Sequence, residues 1–556
     1  MTTKKITPLK TKDTKYIFVV GGVISGVGKG ITTSSIAKIL QARGHSVTAI
    51  KIDPYVNIDA GTMNPTEHGE VFVLSDGDEC DQDMGNYERF LDTTLTRTNY
   101  MTTGRVYRSV IERERNLGYK GKCVQVVPHV PLEVIARIKS AVKQAGAEIV
   151  LIEIGGTVGE YENILFLEAA RMLKMENPGN ILFVMVSYIP IPSKVGEMKT
   201  KPTQHAVRTL NATGIQPDII IARSSESLDA KRKEKIAVFC NIKPEHVISA
   251  PDIDSIYDVP MNFEKDNVGD IVTKILKLPK RRGGGLTEWK KFADAPKRAK
   301  KEVRVAIVGK YFDTGDYVLS DAYISIIEAL KYSAYALGAK TTLTWINSKD
   351  FETGKIKVET LKKYDGVLIP GGFGASGVEG KIKAIEYVRK NKIPFFGICY
   401  GMQLAVIEYS RNVLKWKDAN STEINPHTSF PVVDILEEQK KKLEKKQYGN
   451  SMRLGDYTAH LQKGSIAQKA YSKDTIIERH RHRYEVYPAI MPDLRDAGLV
   501  LSGLSPDGTL TEIVELSQKV HPYFVACQFH PEFLARPLNP HPLFTAFIKA
   551  SLKGKK

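Results

Sequence analysis

Three groups of residues in this chain have types and spacings that could do chemistry. The first centres on a cysteine. Phe395-Phe-Gly-Ile-Cys-Tyr-Gly-Met-Gln403 reads as strand, sharp turn, helix. Within it, Gly397-Ile-Cys399-Tyr-Gly401 fits a nucleophile elbow with Cys in place of Ser, the flanking glycines permitting a strained turn. The N-terminus of a helix favours negative charge on a sulfur placed there. A nucleophile needs a base and a group to orient that base. His530 and Glu532, in Ala526-Cys-Gln-Phe-His-Pro-Glu532, follow an apolar run with one residue between them. Upstream, Val367-Leu-Ile-Pro-Gly-Gly-Phe-Gly374 offers a strand followed by glycines whose N–H groups suit a developing oxyanion. A lone cysteine is most often a buried structural thiol. The elbow, the glycines and the His-Pro-Glu triplet together favour acyl transfer at Cys399. Cys80, Cys123, Cys240 and Cys527 keep the structural reading.

The second group is Gly21-Gly-Val-Ile-Ser-Gly-Val-Gly-Lys-Gly30, ahead of the small-residue helix Ile31-Thr-Thr-Ser-Ser-Ile-Ala37. Glycines let backbone N–H groups converge on phosphate oxygens, the helix N-terminus adds its dipole, and Lys29 adds a point charge. The strict pattern G-x-x-x-x-G-K-[ST] is not met, because position 23 is Val and position 30 is Gly. Thr32 or Thr33 is available for the hydroxyl role. The third group is a pair of carboxylates suited to Mg²⁺ beside phosphates. Asp83 closes the acidic stretch Asp76–Asp83. Glu153 lies in the apolar run Ile149-Val-Leu-Ile-Glu-Ile154, where open α/β sheets bind ligands.

These groups need strands to carry them. In the first half the strand expectations are 16–20, 46–52, 149–154, 181–186 and 219–222. In the second half they are 303–308, 341–345, 366–369 and 395–398. Continuous apolar runs bounded by Gly and Pro suit strands buried on both faces, so each half reads as a parallel-sheet α/β domain. Lys277 to Glu302 holds three consecutive glycines, two prolines and a dense run of bases, without apolar period. It is read as a linker, 277–302, between an N-terminal domain, 1–276, and a C-terminal domain, 303–556.

The 556 residues give 42% hydrophobic and 26% charged, which excludes a mostly disordered chain. Lys and Arg number 80 against 63 Asp and Glu, a net +17 that favours anionic partners. Much of the excess lies in the N-terminal tail, the linker and Lys440–Lys446, without aromatic interleaving, so solvated charge is the reading and no nucleic-acid partner is expected. Five widely spaced cysteines without a C-x-x-C pair argue against a disulfide framework and fit a reducing compartment, with the cytoplasm as the expected location. Tyr16–Val20 runs straight into the glycine loop and reads as a strand, not an export signal. No apolar run approaches the ~20 residues of a membrane helix, so no membrane partner is expected.

On these residues the second half resembles the class I glutamine amidotransferases, through Gly-Ile-Cys-x-Gly-Met-Gln and His-Pro-Glu in that family's order. The first half resembles the synthetase domain of the CTP synthase family. The blocks that carry it are Gly21–Gly30, Lys51–Tyr55, His68–Val73, Asp83–Phe90, Glu153–Glu160 and Lys199–His205, joined by Asn420–Glu423 and Arg479–Glu485. The resemblance runs from about residue 16 to 550. It implies a P-loop (Rossmann-like) synthetase domain fused to an α/β class I glutamine amidotransferase domain. The activity it implies is amination of UTP to CTP. ATP phosphorylates the uracil 4-oxygen, and ammonia released from glutamine in the other domain displaces the phosphate after passing through a tunnel.

Carried over residue by residue, the resemblance implies an ATP site from Gly26, Val27, Gly28, Lys29, Gly30, Ile31, Lys51 and Asp83, with Ile253 near the adenine. Asp83 and Glu153 hold Mg²⁺. Ser25, Glu160, Tyr161, Glu162, Lys199, Thr200, Lys201, Pro202, Thr203, Gln204 and Lys235 form the pyrimidine nucleotide site, which also takes CTP as feedback inhibitor. Gly372, Tyr400, Gly401, Met402, Gln403, Glu423 and Arg483 bind glutamine beside the triad Cys399, His530 and Glu532. Physically, Lys199 and Lys201 flank a Thr, so a turn or extended stretch can aim both at one triphosphate. Arg483 can grip the glutamine carboxylate bidentately while Glu423 meets its ammonium. A homotetramer, and filaments, come with the resemblance.

Two positions depart from the pattern. Residue 400, usually Leu, is Tyr. The loop after Gly372 carries Ala375 and Ser376 where members stimulated by GTP carry an aromatic and an arginine, so GTP is expected to be a weak activator. Two other classes compete. A different P-loop amidoligase of the cobyrinic-acid type is disfavoured by the Lys-Thr-Lys-Pro-Thr-Gln block. An inactive filament scaffold is disfavoured by the intact Lys29, Cys399, His530 and Glu532.

Overall fold

The computed structural model describes residues 14–64, 68–194, 196–310, 320–435 and 452–554. The basic N-terminal tail and Lys440–Lys446 therefore lie outside the described residues. Among those described, one compact unit runs up to Ala60 and resumes over Asp83–Ala293; the other joins Gly61–Gln82 to the chain from Asp294 onward.

The first unit is built on seven parallel strands. Their spatial order is Tyr100–Thr102, Val47–Asp53, Ile149–Ile154, Lys15–Gly21, Ile181–Tyr188, Ile219–Ser224 and Val247–Pro251. Every residue of Ile149–Ile154 is buried. Helices cover both faces, so these strands read as unbroken apolar runs rather than alternating ones. The core draws Phe18, Ile50, Ile152 and Phe183 from the sheet and Val134, Ile138 and Phe166 from the helices packed on it.

The second unit carries a nine-stranded sheet. Its parallel half runs Ala339–Asn347, Lys301–Gly309, Gly366–Ile369, Phe395–Ile398 and Phe524–Cys527. The sheet then turns antiparallel through Thr511–Glu515, Val500–Leu504, Arg453–Leu461 and Thr475–His482. The expectation of a purely parallel second sheet is thus corrected. Arg453–Leu461 alternates between buried and exposed residues, and that mixed pattern hid the antiparallel strands.

Two stretches fall outside the expected boundaries. Residues 61–82 belong to the second unit. There the short hairpin Phe72–Val73/Glu79–Cys80 packs Phe72 edge-on against Phe533 at 5.0 Å, and the Val73 carbonyl accepts from Arg479 Nη1 at 3.0 Å. The expected linker is also more than a spacer. Its helix Thr287–Ala293 buries Trp289, whose indole N–H donates to the Tyr257 carbonyl at 2.9 Å while Lys38 Nζ lies 5.0 Å over the ring. Two aromatics in a basic run, Trp289 and Phe292, gave no sustained period, yet burying both anchors the segment.

No helix among the described residues is long and apolar enough to cross a membrane.

Candidate active sites

In the first unit the strand Lys15–Gly21 runs into the glycine loop and then into the helix Lys29–Ala42. Gly26 and Gly28 have φ of 68° and 88°, a region that L side chains avoid, so the loop's curvature requires glycine there. Lys29 Nζ donates to the Gly156 carbonyl at 2.9 Å, across the C-terminal edge of the sheet. Burial pushes the Lys29 ammonium down from its ordinary value, against the pull of Glu153. Val27 and Gly30 are buried, Ile31 is half-buried and Ser25 is exposed. Thr33 Oγ1 is buried without a hydrogen-bond partner among the described residues. Thr32 instead lines a cavity with Gly28, Ile31, Arg223, Ile253 and Phe263. An apolar cavity beside a phosphate loop is the shape an adenine ring requires.

Lys51 is the hub of the acidic cluster. Its Nζ donates to Asp83 Oδ2 at 2.5 Å and Glu153 Oε1 at 2.8 Å, with Asp53 Oδ1 at 3.7 Å. Burial pushes Asp83 up, but Lys51 and Lys29 outweigh burial and hold it below the usual carboxylate value. For Glu153 burial wins, and its carboxyl is raised despite Lys51. Tyr87 donates its hydroxyl to Glu153 Oε2, and Tyr100 donates to Asp53 at 3.0 Å. Sequence reasoning missed Asp53, Tyr87 and Arg223. Asp53 and Tyr87 sit in blocks already singled out, and Arg223 ends a buried strand. Among the described residues no group of three or more His, Cys, Asp or Glu could hold a metal by itself. Two carboxylates facing a phosphate loop still fit Mg²⁺, which takes most of its ligands from phosphates and water.

The stretch 199–204 begins a helix, Lys201–Ala212, with Thr200 at its N-cap and Pro202 in its first turn. The expected turn or extended segment is therefore a helix N-terminus, itself an anion-binding feature. Lys199 pairs with Glu197 at 2.6 Å, and Lys201 and Lys235 are exposed. Thr203 is fully buried, its hydroxyl paired with Ser187 at 2.8 Å, and Gln204 donates to the Thr200 hydroxyl at 3.1 Å. Both support the turn. Glu160 accepts from the Thr157 hydroxyl at 2.6 Å, while Tyr161 is 92% exposed and Glu162 is exposed.

In the second unit Cys399 sits between the strand Phe395–Ile398 and the helix Tyr400–Asn412 with φ 50° and ψ −101°. That is strained for a non-glycine residue, and such strain clusters at functional sites. The flanking glycines are sterically required: a Cβ on Gly397 would lie 2.9 Å from the Gly401 carbonyl oxygen, and one on Gly401 would lie 2.3 Å from the Ile369 oxygen. The Cys399 N–H donates to the Cys527 carbonyl at 2.7 Å, and Gln528 Nε2 approaches Sγ at 3.7 Å. Gln528 had no signal beyond its place in the His-Pro-Glu block.

His530 Nδ1 pairs with Glu532 Oε1 at 2.7 Å, so Nδ1 donates and Nε2 is left for the substrate side. Nε2 is buried without a hydrogen-bond partner among the described residues. Burial pulls the imidazole down, but Glu532 and Cys399 overcome it and raise it to about 10. Phe533 stacks on the ring at 5.1 Å. Gly371 fits against both groups, since a Cβ there would lie 2.8 Å from His530 Cε1 and 3.7 Å from Cys399 Cβ. Cys399, His530, Glu532, Gly371, Gly372 and Arg481 line one cavity. Glu70 joins that cavity from the 61–82 segment and accepts from the Ser325 N–H at 3.2 Å.

Of the expected glutamine contacts, Met402 is fully buried and Gln403 donates to the Tyr484 carbonyl at 2.9 Å. Their side chains hold the helix in the core beside the buried Gly401. Tyr400 donates its hydroxyl to the Gly374 carbonyl at 2.7 Å, and the Gly374 N–H donates to Glu423 Oε1 at 2.7 Å. Burial raises Glu423, against the Gly374 N–H, Lys310 and Arg483. Ala375 and Ser376 lie exposed just beyond. The strand Thr475–His482 buries Arg479, His480 and His482 to at most 2% exposure, while Arg481 is half-buried, pairs with Glu79 at 2.8 Å and forms part of the wall of the Cys399 cavity. All five cysteines are free, and Cys123 is exposed.

Residues 15–278 match the model of the CTP synthase N-terminus, and residues 318–550 match that of class I glutamine amidotransferase. The chain is 49% identical to a CTP synthase of Clostridium kluyveri over 544 residues, covering 98% of this chain and 99% of the relative. It is 50% identical to a CTP synthase of Pyrococcus furiosus over 545 residues, with the same coverage. A solved structure, the Trypanosoma brucei CTPS glutaminase domain with bound acivicin, is 39% identical and covers 45% of this chain and 94% of its own, with a TM-score of 0.42.

Proposed function

Since the chain belongs to the CTP synthase family, a family of glutamine-dependent ligases that convert UTP to CTP, we propose that Cys399 releases ammonia and that the Lys29–Lys51 centre activates UTP to receive it. One observation carries this reading. Cys399 is held in strained backbone beside a His530–Glu532 pair at 2.7 Å, with all three on one cavity.

The Cys399 sulfur attacks the glutamine carboxamide carbon. Backbone N–H groups of Tyr400 and of the Gly371–Gly372 loop receive the oxyanion. His530 gives a proton to the departing ammonia, then takes one from the water that hydrolyses the thioester to glutamate. Glu532 holds the imidazole throughout. Glu423 and Arg483 meet the ammonium and carboxylate of glutamine.

In the synthetase reaction the γ-phosphoryl of ATP passes to the uracil 4-oxygen, giving ADP and a 4-phosphorylated UTP. Ammonia adds at C4 and phosphate leaves, yielding CTP. The glycine loop Gly26–Ile31 and Lys29 cradle the ATP phosphates, with Ile253 at the adenine. Asp83 and Glu153 would hold Mg²⁺, which neutralises charge on the transferred phosphoryl group. The helix N-terminus at Lys201, with Lys199 and Lys235, faces the UTP triphosphate, and Ser25 and 160–162 complete that site. The same reading takes CTP as feedback inhibitor, weak activation by GTP, a homotetramer and a cytoplasmic location.

The test is CTP formation from UTP and Mg-ATP, with ammonia or glutamine, for the unmodified chain and for Cys399→Ala. Both should use ammonia, and only the unmodified chain should use glutamine. If neither forms CTP from ammonia, the synthetase reading fails. Starting from UTP labelled with ¹⁸O at position 4, the label should appear in the released phosphate; label absent from phosphate rules out the phosphorylated intermediate.

A further inference from the structure

Lys381 has no task in the chemistry above, yet it is fully buried beside the glutamine site. It lies in the first turn of the helix Val378–Lys390 at 0% exposure. Its Nζ makes no hydrogen bond among the described residues. A buried ammonium without a hydrogen-bond acceptor is costly unless something else stabilises it. Here that is the π face of Tyr400, whose ring centroid is 5.1 Å from Nζ. Among the described residues, Lys310 repels the Lys381 ammonium and Glu423 attracts it. Burial pushes the ammonium down to about 7.

Tyr400 does two things at once. Its backbone N–H follows the nucleophile, and its hydroxyl donates to the Gly374 carbonyl at 2.7 Å. The Gly374 N–H in turn donates to Glu423 at 2.7 Å. The contacts therefore run in series from Lys381 to the Tyr400 ring, from its hydroxyl to the loop that carries Gly371 and Gly372, and from that loop to Glu423. The Tyr400 side chain thus takes the cation on its face and the carbonyl at its tip.

We propose that Lys381 is a positioning residue for glutamine hydrolysis, holding the Tyr400 ring so that the residue-400 N–H and the Gly371–Gly374 loop stay aimed at the oxyanion. This rests on Cys399 being the nucleophile. An oxyanion forms after glutamine has bound, so misaiming its donors lowers kcat and leaves KM nearly unchanged.

The experiment uses the full chain and measures kcat and KM for glutamine hydrolysis together with ammonia-dependent CTP formation. Lys381→Met keeps the length of the stem and removes the charge. Its glutaminase kcat should fall about tenfold or more with KM within about twofold, by analogy with loss of an oxyanion donor. Ammonia-dependent synthesis should be unchanged. Tyr400→Phe keeps the ring over Lys381 and loses the tie to Gly374, so it should also lower kcat more than it raises KM. It carries the test if Lys381→Met does not fold. A kcat within twofold of the unmodified chain, or kcat and KM changing together, overturns the proposal. Glutamine hydrolysis that survives Cys399→Ala overturns the underlying reading of Cys399 instead.

Discussion

A Cβ built on Gly30 would lie 2.0 Å from Oδ1 of Asp83. The position that carries Ser or Thr in the strict phosphate-loop pattern is therefore filled in space by a carboxylate from a different segment. With Asp83 in this place there is no room for a Ser or Thr side chain at position 30. Gly30→Ser must push Asp83 off Lys51 and away from the loop. A displacement of about 1 Å can cost roughly 100-fold in rate. Ammonia-dependent CTP formation should fall by about that much, while glutamine hydrolysis without nucleotides stays near the unmodified rate. Unchanged ammonia-dependent synthesis would mean that Asp83 is not held where the reaction needs it.

Asp83→Asn keeps the volume and removes the charge. The Mg²⁺ concentration for half-maximal ammonia-dependent synthesis should rise at least about tenfold, the lower end of losses seen when metal-supporting groups are removed. Titrating Mg²⁺ at fixed ATP and UTP measures it. The same half-maximal concentration in both proteins would remove Asp83 from the metal site.

Much of this was legible in the sequence. The strands around Glu153 and Cys399 are unbroken apolar runs closed by glycine, and all nine strands expected from such runs are present with ends moved by no more than a few residues. Cys399, His530 and Glu532 could be grouped because an elbow and a His-x-Glu spacing each have a local signature. Lys381 has none, and Gln528 and Glu70 have no more than a place inside matched blocks. They reach the second site through tertiary packing, Glu70 from a segment some 330 residues away in sequence from Cys399. The buried state of His480 and His482 was equally hidden, since alternating Arg and His looks solvated until Glu79 and the Val73 carbonyl are brought against the arginines.

Glu532→Gln removes the charge that raises His530. The imidazole stands at about 10 because Glu532 and Cys399 outweigh burial. Its folded value lies above the unfolded value of about 6.5. The stability it contributes is therefore full below about pH 6.5 and is lost as pH rises through about 10. In Glu532→Gln the His530 resonance should titrate at lower pH, and glutaminase kcat should fall about 100-fold or more, the range for losing an oriented acid–base group. An unchanged titration of His530 by NMR would show that Glu532 does not set its charge.

The strand Thr475–His482 supports the site from a buried charge cluster. The Arg479 carbonyl accepts from the His530 N–H at 2.7 Å. Behind it, Arg453 donates to Glu485 and Glu512, each at 2.9 Å, and His480 and His482 share a 2.7 Å hydrogen bond. Burial raises Glu485 to about 8 despite Arg453. A carboxyl raised in the folded state gives stability that is full below about pH 4.3 and fades as pH rises through about 8. The two histidines, pushed well below their ordinary value by burial, act with the opposite slope: stability is lost as pH falls below about 6.5. Glu485→Gln should remove the Glu485 contribution, so that stability falls less, or rises more, with pH between 5 and 8 than in the unmodified chain, at small cost at pH 5. Arg453→Met strands two buried carboxyls and should cost about 3–5 kcal/mol. Urea unfolding of the full chain across that pH range measures both. The same dependence of stability on pH in Glu485→Gln as in the unmodified chain would place the responsible proton elsewhere. Because the strand carries the backbone partner of His530, Arg453→Met should lose glutamine hydrolysis at lower urea than it loses ammonia-dependent synthesis, and equal sensitivity of the two activities would uncouple the cluster from the glutaminase site.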